Sequence, residues 1–273
     1  MSELHWLALV IGNSRLHWAW FNAETLQFAW DTDYLPALVV QKLASGQNVT
    51  DFSQEILAPK ALEFGLAPPI YLASVVPAQT TIWQAYPNLH EITLAQVPLQ
   101  GIYPTLGIDR ALAVWGAGAT WGFPILVIDA GTALTFTGAN SDRVLVGGAI
   151  LPGIRLQFQA LGERTAALPL VAPKESLPPR WGLSTPASIQ SGIAYTLIAG
   201  IEDFISAWWQ EFPASCVVLT GGDRTLLLNY LQGQHPDIAA KITSAPYLIF
   251  QGMCCYWALK ENKHQGRKVV EEN

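Results

Sequence analysis

Charge is scarce in this chain of 273 residues: Asp, Glu, Lys and Arg together make up 13% of it, beside 51% hydrophobic residues. So little charge excludes the disordered class and predicts a large buried core. Basic residues are the scarcer kind, 15 against 21 acids, for a formal net charge of -6. No basic stripe stands out, which argues against a nucleic-acid partner. The one basic cluster, in "KENKHQGRKVVEEN", is mixed with acids, and a solvated or disordered tail is expected over 262–273. Cysteines number three, with Cys216 alone and Cys254 and Cys255 adjacent. That spacing excludes a disulfide framework and a metal finger, and it suits a reducing cytoplasm. The start carries Glu3 and no basic stretch, so no signal peptide is expected. An unbroken apolar span is missing too. No residue between Arg110 and Asp129 is charged, yet "WGAGATWGFP" interrupts that run with three glycines and a proline, so no membrane span is expected. Walker-type and G-x-G-x-x-G loops are absent, and the scattered histidines form no ligand pair and no Ser-His-Asp order.

What is present comes twice. "LALVIGNSR" (7–15) and "LVIDAGTALTF" (126–136) share one design: an apolar run, a Gly, then a small polar residue. Each run reads as a strand entering a turn, and each is followed by a second strand. In "RLHWAWF" the residues Leu16, Trp18 and Trp20 share one face and His17 takes the other. Further strands are expected in "PIYLASVVP", in "RVLVGGAILPGI", in "ASCVVL" and, with a following helix, in "APYLIFQGMCCYWALK". Helices are expected after Asp109 and from Thr185 to Trp209, with Thr185 as N-cap and Pro186 in the first turn. The pattern predicts an α/β protein with a duplicated domain and a cleft between the copies. The boundary falls near Thr120, giving domains over 1–119 and 120–261.

Several turns carry candidate chemistry. A turn on Gly followed by Asn, Ser or Thr can aim backbone N–H groups and a hydroxyl at one point, and such a concavity binds phosphate. Gly12, Asn13 and Ser14 form one such turn, Gly131 and Thr132 a second, and Gly221 and Gly222 a third. Taken singly, each also reads as an ordinary hairpin or loop turn; the duplication favours phosphate. Asp129 ends the apolar strand "ILVID" and needs a partner: a cation, an Arg or backbone donors, those of its own turn included. Asp109 and Arg110, in "LGIDRAL", admit two readings. Asp109 could take a proton from an attacking hydroxyl while the Arg110 fork binds an anion. Equally, Asp109 could cap a helix with an exposed Arg behind it. "GGAILPGI" permits close backbone approach to a ligand or a partner chain, or simply bends the end of a strand.

The motifs "IGNS", "GIDR", "DAGTA", "GGAILPG", "STPASIQSG" and "LTGG" resemble, in order and approximate spacing, those of the type III pantothenate kinases. The resemblance spans about Leu7 to Leu259. It implies duplicated actin-like ATPase (ribonuclease H-like) domains, as in sugar kinases, and an enzyme that phosphorylates pantothenate with ATP at the start of coenzyme A synthesis. It implies Asp109 as catalytic base, a substrate loop from Gly107 through Ile108 and Asp109 to Arg110, and substrate contacts from Tyr103 and Thr185. Gly12, Asn13, Ser14, Arg15, Gly131, Thr132, Gly221 and Gly222 would bind ATP with its Mg²⁺. Asp129 would hold a monovalent cation, potassium or ammonium, and the protein would be a cytoplasmic homodimer. One position departs. The family's first turn reads D-x-G-N-T, with an Asp that helps hold Mg²⁺, and here that position is Val10. A working kinase whose Mg²⁺ arrives with the nucleotide is expected; the alternative is a non-catalytic, nucleotide-binding homologue.

Overall fold

The computed structural model describes residues 4–45 and 68–271, with side chains described as far as residue 261. The chain divides into two compact units. Unit 1 takes Met1–Pro98, Tyr103–Gly116 and Ile249–Asn273, and unit 2 takes Leu99–Ile102 and Ala117–Leu248.

Unit 1 is built on a five-stranded sheet. Strand β1 (His5–Ile11) is buried from Trp6 onward, as a central strand covered on both faces must be. Strand β2 (Leu16–Asn22) pairs antiparallel with β1, and β3 (Thr25–Thr32) pairs antiparallel with β2. Helix α1 (Ala37–Ala44) follows. Strand β4 (Ile70–Ser74) returns parallel to β1, helix α2 (Pro77–Trp83) packs behind it, and β5 (Leu89–Glu91) adds parallel to β4. The order is β3-β2-β1-β4-β5. As expected, Leu16, Trp18 and Trp20 are buried on one face, in a core with Leu7, Leu9, Ile11 and Trp83. Helix α3 (Ile108–Trp121) belongs to unit 1 as far as Gly116.

Unit 2 repeats the plan. Strands β6 (Ile125–Ala130), β7 (Ala133–Ala139) and β8 (Leu145–Pro152) form an antiparallel meander. Helices α4 (Ile154–Arg164) and α5 (Thr185–Glu211) follow. Strand β9 (Cys216–Thr220) pairs parallel with β6. Helices α6 (Arg224–Gln234) and α7 (Pro236–Ala239) lead to β10 (Ile242–Ser244), parallel to β9. The order β10-β9-β6-β7-β8 mirrors that of the first sheet element for element. Helix α5 buries Ile189, Ile193, Leu197, Ile201, Ile205 and Trp208, an i, i+4 stripe that packs into the core with Phe136 and Leu219.

The last helix, α8 (Leu248–Glu271), corrects one expectation. The apolar "LIF" was expected to be a strand, but it forms the first turn of α8, and the final strand is β10. Short apolar runs suit either element, and here the helical continuation through "QGMCCYWALK" decides. From Ile249 onward α8 belongs to unit 1. Trp257 stacks on Trp6 with centroids 5.6 Å apart, Tyr256 meets Tyr71 edge-on at 6.4 Å, and Cys254 Sγ donates to the Glu24 carbonyl at 3.4 Å. The backbone of 262–271 continues this helix; the side chains of the expected tail lie outside the described residues. Among the described residues no helix is long and apolar enough to cross a membrane.

Candidate functional site

In unit 1 the first glycine turn closes between β1 and β2. The Gly12 N–H donates to the Arg15 carbonyl at 3.1 Å, and the Tyr34 hydroxyl donates to the Gly12 carbonyl. Arg15 Nη1 lies 3.5 Å from Asp31 Oδ2, and His17 Nδ1 lies 2.7 Å from Asp31 Oδ1. Val10 is 3% exposed and pairs across to His17 on β2 and Ala73 on β4. The place where the resemblance leads one to expect an acid is therefore a buried apolar position.

The Asp109 loop comes to the same edge of this sheet. Val75, just past β4, donates its N–H to the Ile11 carbonyl at 3.1 Å, and a methyl built on Gly107 would lie 3.8 Å from Val75 Cγ1. Helix α3 starts at Ile108, with its first bond from the Ala111 N–H to the Gly107 carbonyl at 3.1 Å. Asp109 Oδ1 accepts the Arg110 N–H at 2.8 Å. Its carboxyl is half-buried, and desolvation pushes its pKa above the ordinary carboxylate value, against the pull of the Arg110 N–H and guanidinium. Arg110 is only 8% exposed, and its Nη1 donates to the Tyr103 hydroxyl at 3.1 Å. The simpler reading, Asp109 as cap with an exposed Arg behind it, does not describe this geometry. The capping position falls to Gly107, and Arg110 is buried.

Unit 2 gathers its own set at the ends of parallel β6 and β9. Asp129 is level with Thr220. The Gly131 N–H donates to the Ala133 carbonyl at 3.1 Å, and the Gly153 N–H to the Thr132 carbonyl at 2.9 Å. Gly221 has φ +90, and a Cβ there would sit 2.5 Å from the Ala130 backbone and from Asp129 Oδ1. Glycine is the residue that tolerates both the angle and the approach. The Asp223 N–H then donates to the Ala130 carbonyl at 2.9 Å. Loops 129–132, 153–155 and 221–223 are thus tied together by backbone bonds. Thr185 is placed on a separate element. It is the exposed first residue of α5, and the cap is its neighbour Ser184, whose Oγ accepts the Ala187 N–H at 3.4 Å.

Two residues of this set were not found from sequence. Asp223 is buried, and its Oδ1 accepts from Arg155 Nε at 2.8 Å; the side chains are 8% and 71% exposed. The acid directly after "LTGG" was a signal, but its partner lies 68 residues away. The pair is asymmetric. Arg155→Ala strands a buried carboxylate and costs about 1–3 kcal/mol. Asp223→Ala leaves an Arg that water already solvates and costs less. Urea unfolding midpoints of the two variants, compared at constant m-value, give the order.

Among the described residues no group of three or more His, Cys, Asp or Glu side chains is placed to hold a metal ion. The carboxylate of Asp129, beside two glycine turns, suits a weakly held cation completed by carbonyl, hydroxyl and phosphate oxygens.

A family model described as Type III pantothenate kinase matches residues 6–207. The chain is similar to the Type III pantothenate kinase of Nostoc sp. (strain PCC 7120), at 56% identity over 258 residues, covering 92% of this chain and 94% of that relative. It is similar to the protein of that name from Synechocystis sp. (strain PCC 6803), at 42% identity over 251 residues, covering 91% and 88%. Among solved structures it is similar to a putative 2-dehydro-3-deoxygalactonokinase from Sinorhizobium meliloti, with TM-score 0.52, 12% identity and coverage of 92% and 95%. It is also similar to MreB5 of Spiroplasma citri bound to ADP, with TM-score 0.51, 12% identity and coverage of 95% and 98%. At such identities these two structures speak for the fold alone, and the fold is the actin-like, sugar-kinase-like α/β architecture expected from the sequence.

Proposed function

The chain belongs to the type III pantothenate kinase family, and from that premise we propose that it moves the γ-phosphoryl group of ATP to the primary hydroxyl of pantothenate with Asp109 as the base. The observation that carries the assignment of Asp109 is its setting: a half-buried carboxylate with a raised pKa, at the start of α3, beside a buried Arg110 tied to Tyr103. A base poised in this way accepts the hydroxyl proton as the oxygen attacks phosphorus. The Arg110 fork binds the carboxylate of pantothenate, Tyr103 orients that fork, and Gly107 and Ile108 shape the loop. Thr185 adds a substrate contact.

Phosphoryl transfer asks the protein mainly for positioning and charge stabilisation. The Gly12–Arg15 and Gly131–Thr132 turns, which the Gly12 and Gly131 N–H groups close on themselves, would receive the phosphates, and Gly221 and Gly222 the adenosine side. Asp129 would hold the monovalent cation, which offsets phosphate charge. Mg²⁺ takes most of its ligands from water and nucleotide phosphates, so it fits a protein with Val10 in place of an acid. The working form is a homodimer in the cytoplasm.

The test is a coupled kinase assay with pantothenate and ATP, run on the native protein and on Val10→Asp. The native protein forms 4'-phosphopantothenate with a requirement for Mg²⁺ and for K⁺ or NH₄⁺. Val10→Asp lowers the Mg²⁺ concentration for half-maximal rate. Clean ATP binding by calorimetry without product would instead favour the non-catalytic homologue.

A further inference from the structure

The geometry points to His17 as a second phosphate-binding group at the first glycine turn, held in place by Asp31 and standing where this chain lacks an acid. The inference rests on the kinase reading above and concerns how that site holds ATP.

His17, Asp31 and Val10 are cross-strand neighbours on β2, β3 and β1, so their side chains share one face of the sheet. His17 Nδ1 is 2.7 Å from Asp31 Oδ1. An ionised carboxylate only accepts, so the proton of that bond sits on Nδ1. The opposite edge of the ring is turned to the phosphate turn: a Cβ on Gly12 would lie 3.3 Å from His17 Nε2 and 3.5 Å from its Cδ2. The ring is 39% exposed on its side chain, so a ligand seated on Gly12, Asn13 and Ser14 has access to Nε2. The turn itself is braced, since Tyr34 holds the Gly12 carbonyl and the Gly12 N–H is bonded to Arg15.

The charges fit the same ligand. Asp31 contributes one negative charge, which Arg15 at 3.5 Å offsets. With Nδ1–H held by Asp31, a second proton on Nε2, drawn there by the charge of a seated phosphate, makes the ring a cation with an N–H aimed at the turn. Such a donor binds a terminal phosphate directly, by a charge-assisted hydrogen bond. An acid at position 10 would stand opposite His17 and compete for that cation. With Val10 there, the imidazolium is left for the nucleotide. Direct cationic contact thus takes over part of the work that an acid and its metal ion would share.

The experiment is steady-state kinetics of pantothenate phosphorylation with ATP and pantothenate varied in turn, for the native protein, His17→Gln and His17→Lys. Loss of one charged hydrogen bond raises the ATP KM of His17→Gln about tenfold or more, with the pantothenate KM unchanged. His17→Lys keeps a cation and recovers most of the affinity. An unchanged ATP KM in His17→Gln, or a His17→Lys protein no better than His17→Gln, overturns the assignment. ATP titration by calorimetry on the same three proteins reads the contact without turnover. Failure of the native protein to phosphorylate pantothenate would therefore refute the functional reading separately from the role of His17.

Discussion

Asp109→Asn lowers kcat by about 10²–10⁴-fold, the range a positioned general base supplies, while calorimetry finds ATP bound as before. Asn keeps the shape and can accept the Arg110 N–H through its amide oxygen, so the substitution removes proton acceptance and little else. The pH dependence follows from the raised pKa of the carboxyl. The base works ionised, so the acid limb of kcat/KM in the native enzyme falls above the ordinary carboxylate range, and Asn abolishes that limb. Stability moves the opposite way. A carboxyl with a higher pKa when folded than when unfolded binds protons more tightly in the native state. Its ionisation therefore weakens the fold at pH values above the folded pKa, and the penalty vanishes below the unfolded value. Asp109→Asn should unfold at a higher temperature than the native protein at neutral pH, with the gap closing in acid. A variant that turns over normally, or an inactive one that has lost stability at neutral pH, would remove Asp109 from this role.

Gly153→Ala is the second substitution with a large expected effect. Gly153 stands where β8 passes into α4, and it donates its N–H to the Thr132 carbonyl at 2.9 Å. A Cβ at 153 would overlap the Gly131 carbonyl oxygen and lie 2.7 Å from that of Thr132. Both obstacles are backbone, so no side chain can swing aside. The new methyl must push α4 away from the second phosphate turn, at a cost of about 1–3 kcal/mol in stability. ATP affinity falls with it, because the turn that presents its N–H groups is the one displaced. Gly192→Ala is the counterpart: it lies in α5, and beyond its chain neighbours and the helix's own backbone nothing comes within 4 Å of its Cβ position. Removing a helical glycine there stabilises by up to about 1 kcal/mol. Guanidinium unfolding and ATP titration of both variants test the contrast; equal effects would mean that the approach at 153 is not a constraint.

Most of the architecture was legible because the duplication is written in local pattern. Leu7–Ile11 is apolar throughout, Ile125–Ala130 is apolar but for Asp129, each stops at a glycine, and both prove to be the middle strand of a five-stranded sheet. Helix α5 was legible from its start, where a hydroxyl residue precedes Pro186. Its cap was missed by one residue, because Ser184 and Thr185 both carry a hydroxyl and only the path of the chain chooses between them. Strand β3 was missed although "TLQFAWDT" alternates, with Leu26, Phe28 and Trp30 on one face and Thr25, Gln27 and Asp31 on the other; it lies at the sheet's edge and is only partly buried. The polar partnerships were the least legible. Arg155 with Asp223 and His17 with Asp31 join residues 68 and 14 apart, and the fold alone brings them face to face. The burial of Arg110 was invisible for the same reason, since an Arg after an Asp at a helix start looks like solvent-facing surface.

The return of α8 bears on how the molecule is made. Synthesis runs from the N-terminus, and domains generally fold as their residues emerge. Here the half that is translated first waits for the last helix: until Trp257 and Tyr256 arrive, Trp6 and Tyr71 have no cover from α8. The later-translated half, ending at Leu248, is complete before that. A chain that stopped at Leu248 would hold all of the second unit and a first unit lacking α8, with tryptophan open to chaperones.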